Sequence, residues 1–221
     1  MERGEEPVIE PHAAERALLV DVSRRLVSAG LCAGTAGNAS IRVDEGVLIT
    51  PSGVAPDAMA PDDVCLVAPD GTLVAGVGPS SELPMHLVVY ELTGAGAVVH
   101  THSSVATALG TVREELPAIH YAITAFGGPV RVAPYALFGT TELAGGLRGA
   151  LAGRTAALLA NHGAVVSGRT LDEAYDHAVL LEWLCSVYWH ASALGSPRVL
   201  GEGELDAVRA QMARLEYGEP R

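Results

Sequence analysis

Gly96-Ala97-Val98-Val99-His100-Thr101-His102 reads as one buried strand and its exit from the core. Side chains alternate along a strand, so His100 and His102 share a face. Two imidazoles a few ångströms apart on one face form a ready pair of metal ligands, and the plain alternative is a solvated strand end. Upstream, Ser81-Glu82-Leu83-Pro84 has the form of a helix start with Pro in the first turn, and the helix extends to about Leu92. Downstream, beyond a loop rich in Gly and Pro, residues 156–168 (AALLANHGAVVSG) read as a strand, a tight turn and a second strand. Thr170 and Glu173 then make a capping-box pattern that opens a long helix ending before Gly195.

The N-terminal third carries the same kinds of signal. Leu18, Leu19, Val22, Leu26 and Val27 fall at helical spacing between about His12 and Ala29, and Gly30 stops the helix. Residues 39–50 read as a strand pair turning through Asp44-Glu45-Gly46, and residues 64–76 as a second hairpin turning at Asp70-Gly71. No linker, repeat or charge block divides the chain, so residues 1–221 read as one domain. Hairpins separated by helices predict an α/β or α+β sheet with substantial antiparallel pairing and helices packed on it.

Composition excludes several function classes. Apolar residues make up 49% of the chain, which suits a folded domain with a large core. The formal charge is −12, a field that repels nucleic acid and anionic membrane at long range. Any phosphate site must therefore be made locally, from backbone N–H groups and hydroxyls. Cys32, Cys65 and Cys185 are odd in number and far apart, as expected of buried thiols in a reducing compartment. No apolar run approaches the ~20 residues of a membrane span, and the N-terminus lacks a signal-peptide pattern. The expected location is the cytoplasm.

Two further residues join the histidine pair. His162 follows an apolar strand directly and precedes Gly163; Glu82 stands where a helix begins. Taken singly, the first reads as a turn histidine and the second as an acid serving the helix dipole. Taken together, three histidines and a carboxylate at element termini suit a tetrahedral Zn²⁺ site that substrate can open. Such an ion polarises a carbonyl and stabilises the charge that forms when the adjacent carbon loses a proton, and a nearby carboxylate can take that proton. Three segments offer turn geometry with hydroxyl or amide donors for an anion: Gly34-Thr35-Ala36-Gly37-Asn38, Thr50-Pro51-Ser52-Gly53 and Pro79-Ser80-Ser81. The last would hold a phosphate at a helix N-terminus beside Glu82.

At this point the chain resembles the class II aldolase/adducin family. The stretches that carry the resemblance are GTAGNASIR, LITPSGV, PSSELPMH, AVVHTHSSVATAL, LPAIHYAITAFGG, APYALFGTTEL and LLANHGAVV, in family order from about residue 34 to 168, with Glu216-Tyr217-Gly218 near the end. The resemblance implies a three-layer α/β/α sandwich around a mainly antiparallel sheet. It makes His100, His102 and His162 zinc ligands, and Glu82 both a ligand and the catalytic acid/base. It assigns Gly37, Asn38, Ser52, Gly53, Ser80 and Ser81 to the phosphate of dihydroxyacetone phosphate, Tyr121 to proton donation, and Phe138 and Tyr217 to the aldehyde side. The implied reaction is reversible cleavage of a sugar 1-phosphate, of the L-fuculose 1-phosphate type, to dihydroxyacetone phosphate and an aldehyde such as lactaldehyde. The implied assembly is a homotetramer with Tyr121 and Tyr217 supplied by a neighbour.

Two departures from the family pattern stand out: Ser52 replaces Thr but keeps the hydroxyl, and Leu83-Pro84 replaces a bulkier, more polar pair at the helix entry. Rival readings within the family are an L-ribulose-5-phosphate 4-epimerase, which has Asp at the Glu82 position, and a methylthioribulose-phosphate dehydratase. A rival of another class is a non-catalytic adducin-like interaction module, which has no need of the His₃–Glu set. His86, four residues after Glu82 on the same helix, reads as a support for it. His120 reads as structural.

Overall fold

The computed structural model describes residues 12–215. The strands are β1 (Asn38–Val43), β2 (Gly46–Ile49), β3 (Cys65–Val67), β4 (Leu73–Ala75), β5 (Ala97–Thr101), β6 (Glu115–Leu116), β7 (Val130–Ala133), β8 (Ala156–Leu159) and β9 (Gly163–Gly168). Among the described residues they form one sheet in the order β4-β3-β2-β1-β5-β9-β8-β7-β6. Every pairing is antiparallel except β7 with β8. The helices are α1 (Ala13–Ser28), α2 (Leu83–Thr93), α3 (Ser104–Gly110), α4 (Thr141–Ala150), α5 (Leu171–Leu194) and α6 (Glu202–Arg214).

The sheet carries a separate apolar core on each face. Leu48, Ala97, Val99, Leu158, Ala164 and Val166 meet α1, α3, α5 and α6 on one side. Val47, Ile49, Val98, Ala157, Leu159 and Val165 meet α2 and α4 on the other. Consecutive residues of β5 thus feed opposite cores, as the two-residue period of a strand requires. Both faces of the sheet are covered, so apolar side chains on each side of the central strands are buried, and the α/β/α sandwich follows from that pattern.

The expected hairpins and the helices at 13–28, 83–93 and 171–194 are present. The stretch between β5 and β8, read from sequence as loop, instead holds α3, β6, β7 and α4. Its local signals are weak. Helix α4 contains Gly145, Gly146 and Gly149, each costing about 1 kcal/mol against Ala in a helix interior. Burial of Leu143, Ala144, Leu147 and Ala150 overrides that cost, and the Thr140 hydroxyl accepts from the Leu143 N–H to start the helix. Helix α6 was likewise not anticipated; it docks through the buried Leu205.

Candidate active site

Strand β5 lies at the middle of the sheet, and its polar end sets the site. His100 is fully buried and pairs in register with Asn38 of β1 on one side and Val165 of β9 on the other. The β8–β9 turn brings His162 alongside. Its central residue, Asn161, has a φ of 56°, a left-handed conformation that Asn tolerates better than most residues. Gly163 is required next: a Cβ there would lie 2.1 Å from the Thr101 carbonyl oxygen. The chain leaving His102 is fixed by the Glu182 carboxylate of α5, which accepts from the N–H groups of Val105 (2.9 Å) and Ala106 (2.8 Å).

Glu82 occupies the N-cap position of α2, yet its side chain makes no cap hydrogen bond. It turns inward to the histidines, 94% buried. Its Oε2 lies 2.9 Å from His100 Nε2, and its Oε1 lies 3.2 Å from His162 Nε2. His100 Nε2 is also 2.9 Å from His102 Nε2. One ligand atom from each of the four residues falls within 4.8 Å of all the others, so Glu82, His100, His102 and His162 form a cluster that can hold a metal ion.

The chemistry of the donors fits a cation. A neutral His100 ring has one N–H, and His100 Nδ1 lies 2.9 Å from the Ala164 carbonyl, which can only accept. The Nε2 lone pair therefore faces a carboxylate oxygen and a second imidazole nitrogen. The carbonyl partner that fixes the tautomer is the usual companion of a metal-binding histidine. Glu82 Oε1 is buried without a hydrogen bond among the described residues, because His162 approaches it without hydrogen-bond geometry. Burial alone would raise the Glu82 carboxyl; the contacts from His100 and His162 outweigh it and hold the group well below the usual carboxylate range. Burial first, and then the neighbouring His100 and His162, push His102 down to about 4, which keeps its lone pair free at neutral pH.

The cluster opens on a cleft of about 480 Å³, a size suited to a small ligand. Of the residues expected at the site, Gly37, Asn38, Ser52, Gly53, Ser80, Ser81, Glu82, His102, Phe138 and His162 line this cleft. His100 lies beneath it. Among the described residues, the lining of the cleft holds no lysine or arginine.

Two of the three candidate anion loops are joined to each other. The Ser80 N–H donates to the Thr50 carbonyl and the Ser52 N–H to the Gly78 carbonyl, each at 3.0 Å, around a bridge between Pro51 and Pro79. The Thr50 hydroxyl accepts from the Ala39 N–H at 3.2 Å, which ties both loops to β1. Gly37 has a φ of 83°, and a Cβ on it would lie 2.3 Å from Cys32 Sγ. Any other residue there would have to displace Cys32 while holding a left-handed backbone.

Tyr121 does not line the cleft. It opens a short helical turn, Tyr121–Phe126, is half exposed, and borders a separate hollow with Val208, Gln211, Met212 and Leu215. Tyr217 lies outside the described residues. Tyr135 and Asn161, which sequence reading missed, do line the cleft. Asn161 could have been found from its place directly before His162, and Tyr135 from its place in the stretch APYALFGTTEL. Among the histidines without an expected role, His12 pairs with Glu45 at 3.1 Å and His177 Nδ1 meets the Ser167 carbonyl at 2.7 Å.

Residues 17–189 match the family described as the class II aldolase and adducin N-terminal domain. The chain belongs to that family. It is 39% identical over 192 residues to a 5-methylthioribulose-1-phosphate/5-deoxyribulose-1-phosphate aldolase of Rhodospirillum rubrum, covering 86% of this chain and 87% of that one. It is also 39% identical over 197 residues to a 5-deoxy-D-ribulose 1-phosphate aldolase of Bacillus thuringiensis, covering 87% and 92%. Among solved structures it superposes on an L-fuculose 1-phosphate aldolase with a TM-score of 0.86 at 36% identity, covering 90% of this chain and 95% of that one. The protein is a class II aldolase of the sugar-phosphate type, a carbon–carbon lyase.

Proposed function

We propose that the protein is a zinc-dependent aldolase that reversibly cleaves a ketose 1-phosphate to dihydroxyacetone phosphate and a short aldehyde. The observation that carries this reading is the convergence of Glu82, His100, His102 and His162 at one wall of a cleft whose other wall is the laced phosphate loops. Three imidazoles and one carboxylate favour Zn²⁺ over Mg²⁺, which prefers oxygen ligands. Bound there, the ion would supply charge stabilisation to the ketone oxygen. Gly37, Asn38, Ser52, Gly53, Ser80 and Ser81 hold the phosphate. Glu82 takes the proton from the carbon next to the ketone when the bond forms, and returns it on cleavage. Tyr121, brought by a neighbouring subunit of a homotetramer, gives the proton to the aldehyde oxygen. We read residues 1–221 as one such domain and place it in the cytoplasm, in keeping with three free, buried cysteines and, among the described residues, no helix long and apolar enough to cross a membrane.

The aldehyde side of the cleft carries Tyr135, Ala136 and Phe138, so the sugar's far end should be apolar. L-Fuculose 1-phosphate and 5-deoxyribulose 1-phosphate share that feature, since each ends in a methyl group; they yield lactaldehyde and acetaldehyde respectively. The test is to offer both sugars to zinc-loaded protein and follow release of dihydroxyacetone phosphate by coupled reduction. Cleavage of either at a rate that falls sharply when the terminal methyl becomes a hydroxymethyl supports the reading. No release from either, with zinc bound, refutes it.

A further inference from the structure

Behind Glu82 lies a file of buried polar groups that no part of the proposed reaction uses. His86, on α2, is completely buried, as are Ser40 on β1 and, nearly so, Tyr90 one turn further along α2. His86 does not touch the Glu82 carboxylate. Its Nε2 lies 2.5 Å from Asn38 Oδ1, and its Nδ1 lies 2.7 Å from Ser40 Oγ. Ser40 Oγ is in turn 2.8 Å from the Tyr90 hydroxyl. At the other end, Asn38 Nδ2 donates to Glu82 Oε2 at 3.1 Å.

The direction of every bond in this file is fixed from one end. A carboxylate only accepts, so the atom of Asn38 that faces Glu82 must be its N–H₂. The Asn38 carbonyl oxygen must then face His86, and His86 Nε2 must carry a proton. A neutral ring accepts at Nδ1, so the Ser40 hydroxyl donates there, and the Tyr90 hydroxyl donates to Ser40. Each donor therefore points toward Glu82. The Asn38 N–H₂ has two protons and gives only one to Glu82, while Asn38 also lines the cleft. One amide thus reaches both the carboxylate and the space assigned to the phosphate.

We propose that His86, backed by Ser40 and Tyr90, is a positioning residue that locks the Asn38 amide with its N–H₂ toward Glu82 and the cleft. An amide free to flip would present its oxygen to the Glu82 carboxylate, and the two acceptors would repel. The base and the phosphate donor would then lose their fixed relation. This deepens the aldolase reading and rests on it.

The test uses the zinc-loaded full chain. ¹⁵N NMR of the His86 ring is the readout that does not depend on activity: it should show a proton on Nε2 and none on Nδ1. The reverse tautomer would overturn the proposal whatever the protein catalyses. His86→Leu removes the donor to Asn38, whereas His86→Gln carries an N–H₂ that can replace it. His86→Leu should lower both cleavage and solvent-deuterium exchange at dihydroxyacetone phosphate by about tenfold, the scale of one lost buried hydrogen bond, with zinc content unchanged. His86→Gln should recover most of that loss. Equal behaviour of the two variants, whether both active or both impaired, would overturn the proposal. Should His86→Leu not fold, Ser40→Ala serves: it removes the donor at Nδ1, and unchanged cleavage with an unchanged tautomer would count against the file. If the unaltered protein cleaves no sugar phosphate while the tautomer is as expected, the aldolase reading fails and the lock on Asn38 stands.

Discussion

Glu82 and Tyr121 are the two groups proposed to move protons, and the molecule treats them in opposite ways. Glu82 is 6% exposed, at a helix start anchored to the middle of the sheet, with His100, His162 and Asn38 around its carboxylate. Tyr121 is 50% exposed on a short turn outside the cleft, beside a separate hollow. The first site is complete within one chain. The second has its residue but not its surroundings. On the proposed reading, the step that needs only the ketone is housed by one subunit, and the step that meets the aldehyde takes Tyr121 from another.

The largest expected effect falls on the Glu82 half. Purified protein should carry about one zinc per chain, and stripping it with a chelator should abolish cleavage and α-proton exchange together, with zinc restoring both. Full turnover in metal-free protein would remove the zinc mechanism altogether. Next, Glu82→Gln should lose about 10³-fold in turnover and lose exchange to match, because one group is missing from both.

Tyr121→Phe sharpens the contrast. Turnover should fall by about 10²-fold while exchange of the ketone's α-proton persists, since that step precedes the aldehyde. Mixing the two inactive variants should then restore activity, because some sites in a mixed assembly hold Glu82 from one chain and Tyr121 from another. A mixture as inactive as its parts would place both residues in one chain's site and break the comparison.

Two smaller effects probe how rigid the buried half is. Gly37→Ala puts a Cβ against Cys32 Sγ and next to the His100 carbonyl, at 2.3 and 3.0 Å, in a conformation with φ of 83°. The strain of about 1–3 kcal/mol should appear as a raised KM for the phosphate-bearing substrate, with Tyr121 unaffected. The last effect is on stability. Burial above all holds His86 down to about 3, against 6.5 for an ordinary histidine. The unfolded chain therefore binds a proton between those values that the folded chain refuses. Stability from this group is full above about pH 6.5 and declines as pH falls toward 3, by about 2 kcal/mol at pH 5. Melting curves between pH 7 and 4 should show that loss; a midpoint insensitive to pH over this range would mean the ring titrates freely.

How much of this was legible beforehand varies along the chain. The hairpins at β1–β2 and β8–β9 announced themselves through alternating or apolar runs closed by Asp, Glu, Asn and Gly. The long helix α5 showed its Thr170 cap. The pairing of His100 with His102 followed from the two-residue period alone. Helix α4 did not show, because three glycines erase the local preference and packing against α2 and β7 restores it. Glu182 was missed because what it does depends on Val105 and Ala106, more than seventy residues away, whereas Asn161 was legible beside His162 and was passed over.

What the sequence by itself determined is the set of chemical groups and their local placement: three histidines and a carboxylate at the ends of elements, hydroxyl- and glycine-bearing turns, and a charge that forbids a basic phosphate site. These are short-range properties, written in spacing and composition. Only the tertiary structure decided that Glu82 turns from its helix to the histidines, that the loops at 50–53 and 78–81 are laced to β1, that His86 acts on Asn38 rather than on Glu82, and that Tyr121 lies outside the cleft. Each of these depends on groups separated by tens of residues, joined where β1 and β5 pair at the centre of the sheet and α2 packs over them. The reason is physical: a buried polar group must find its partner wherever the fold brings one, and sequence distance has no bearing on which partner that is.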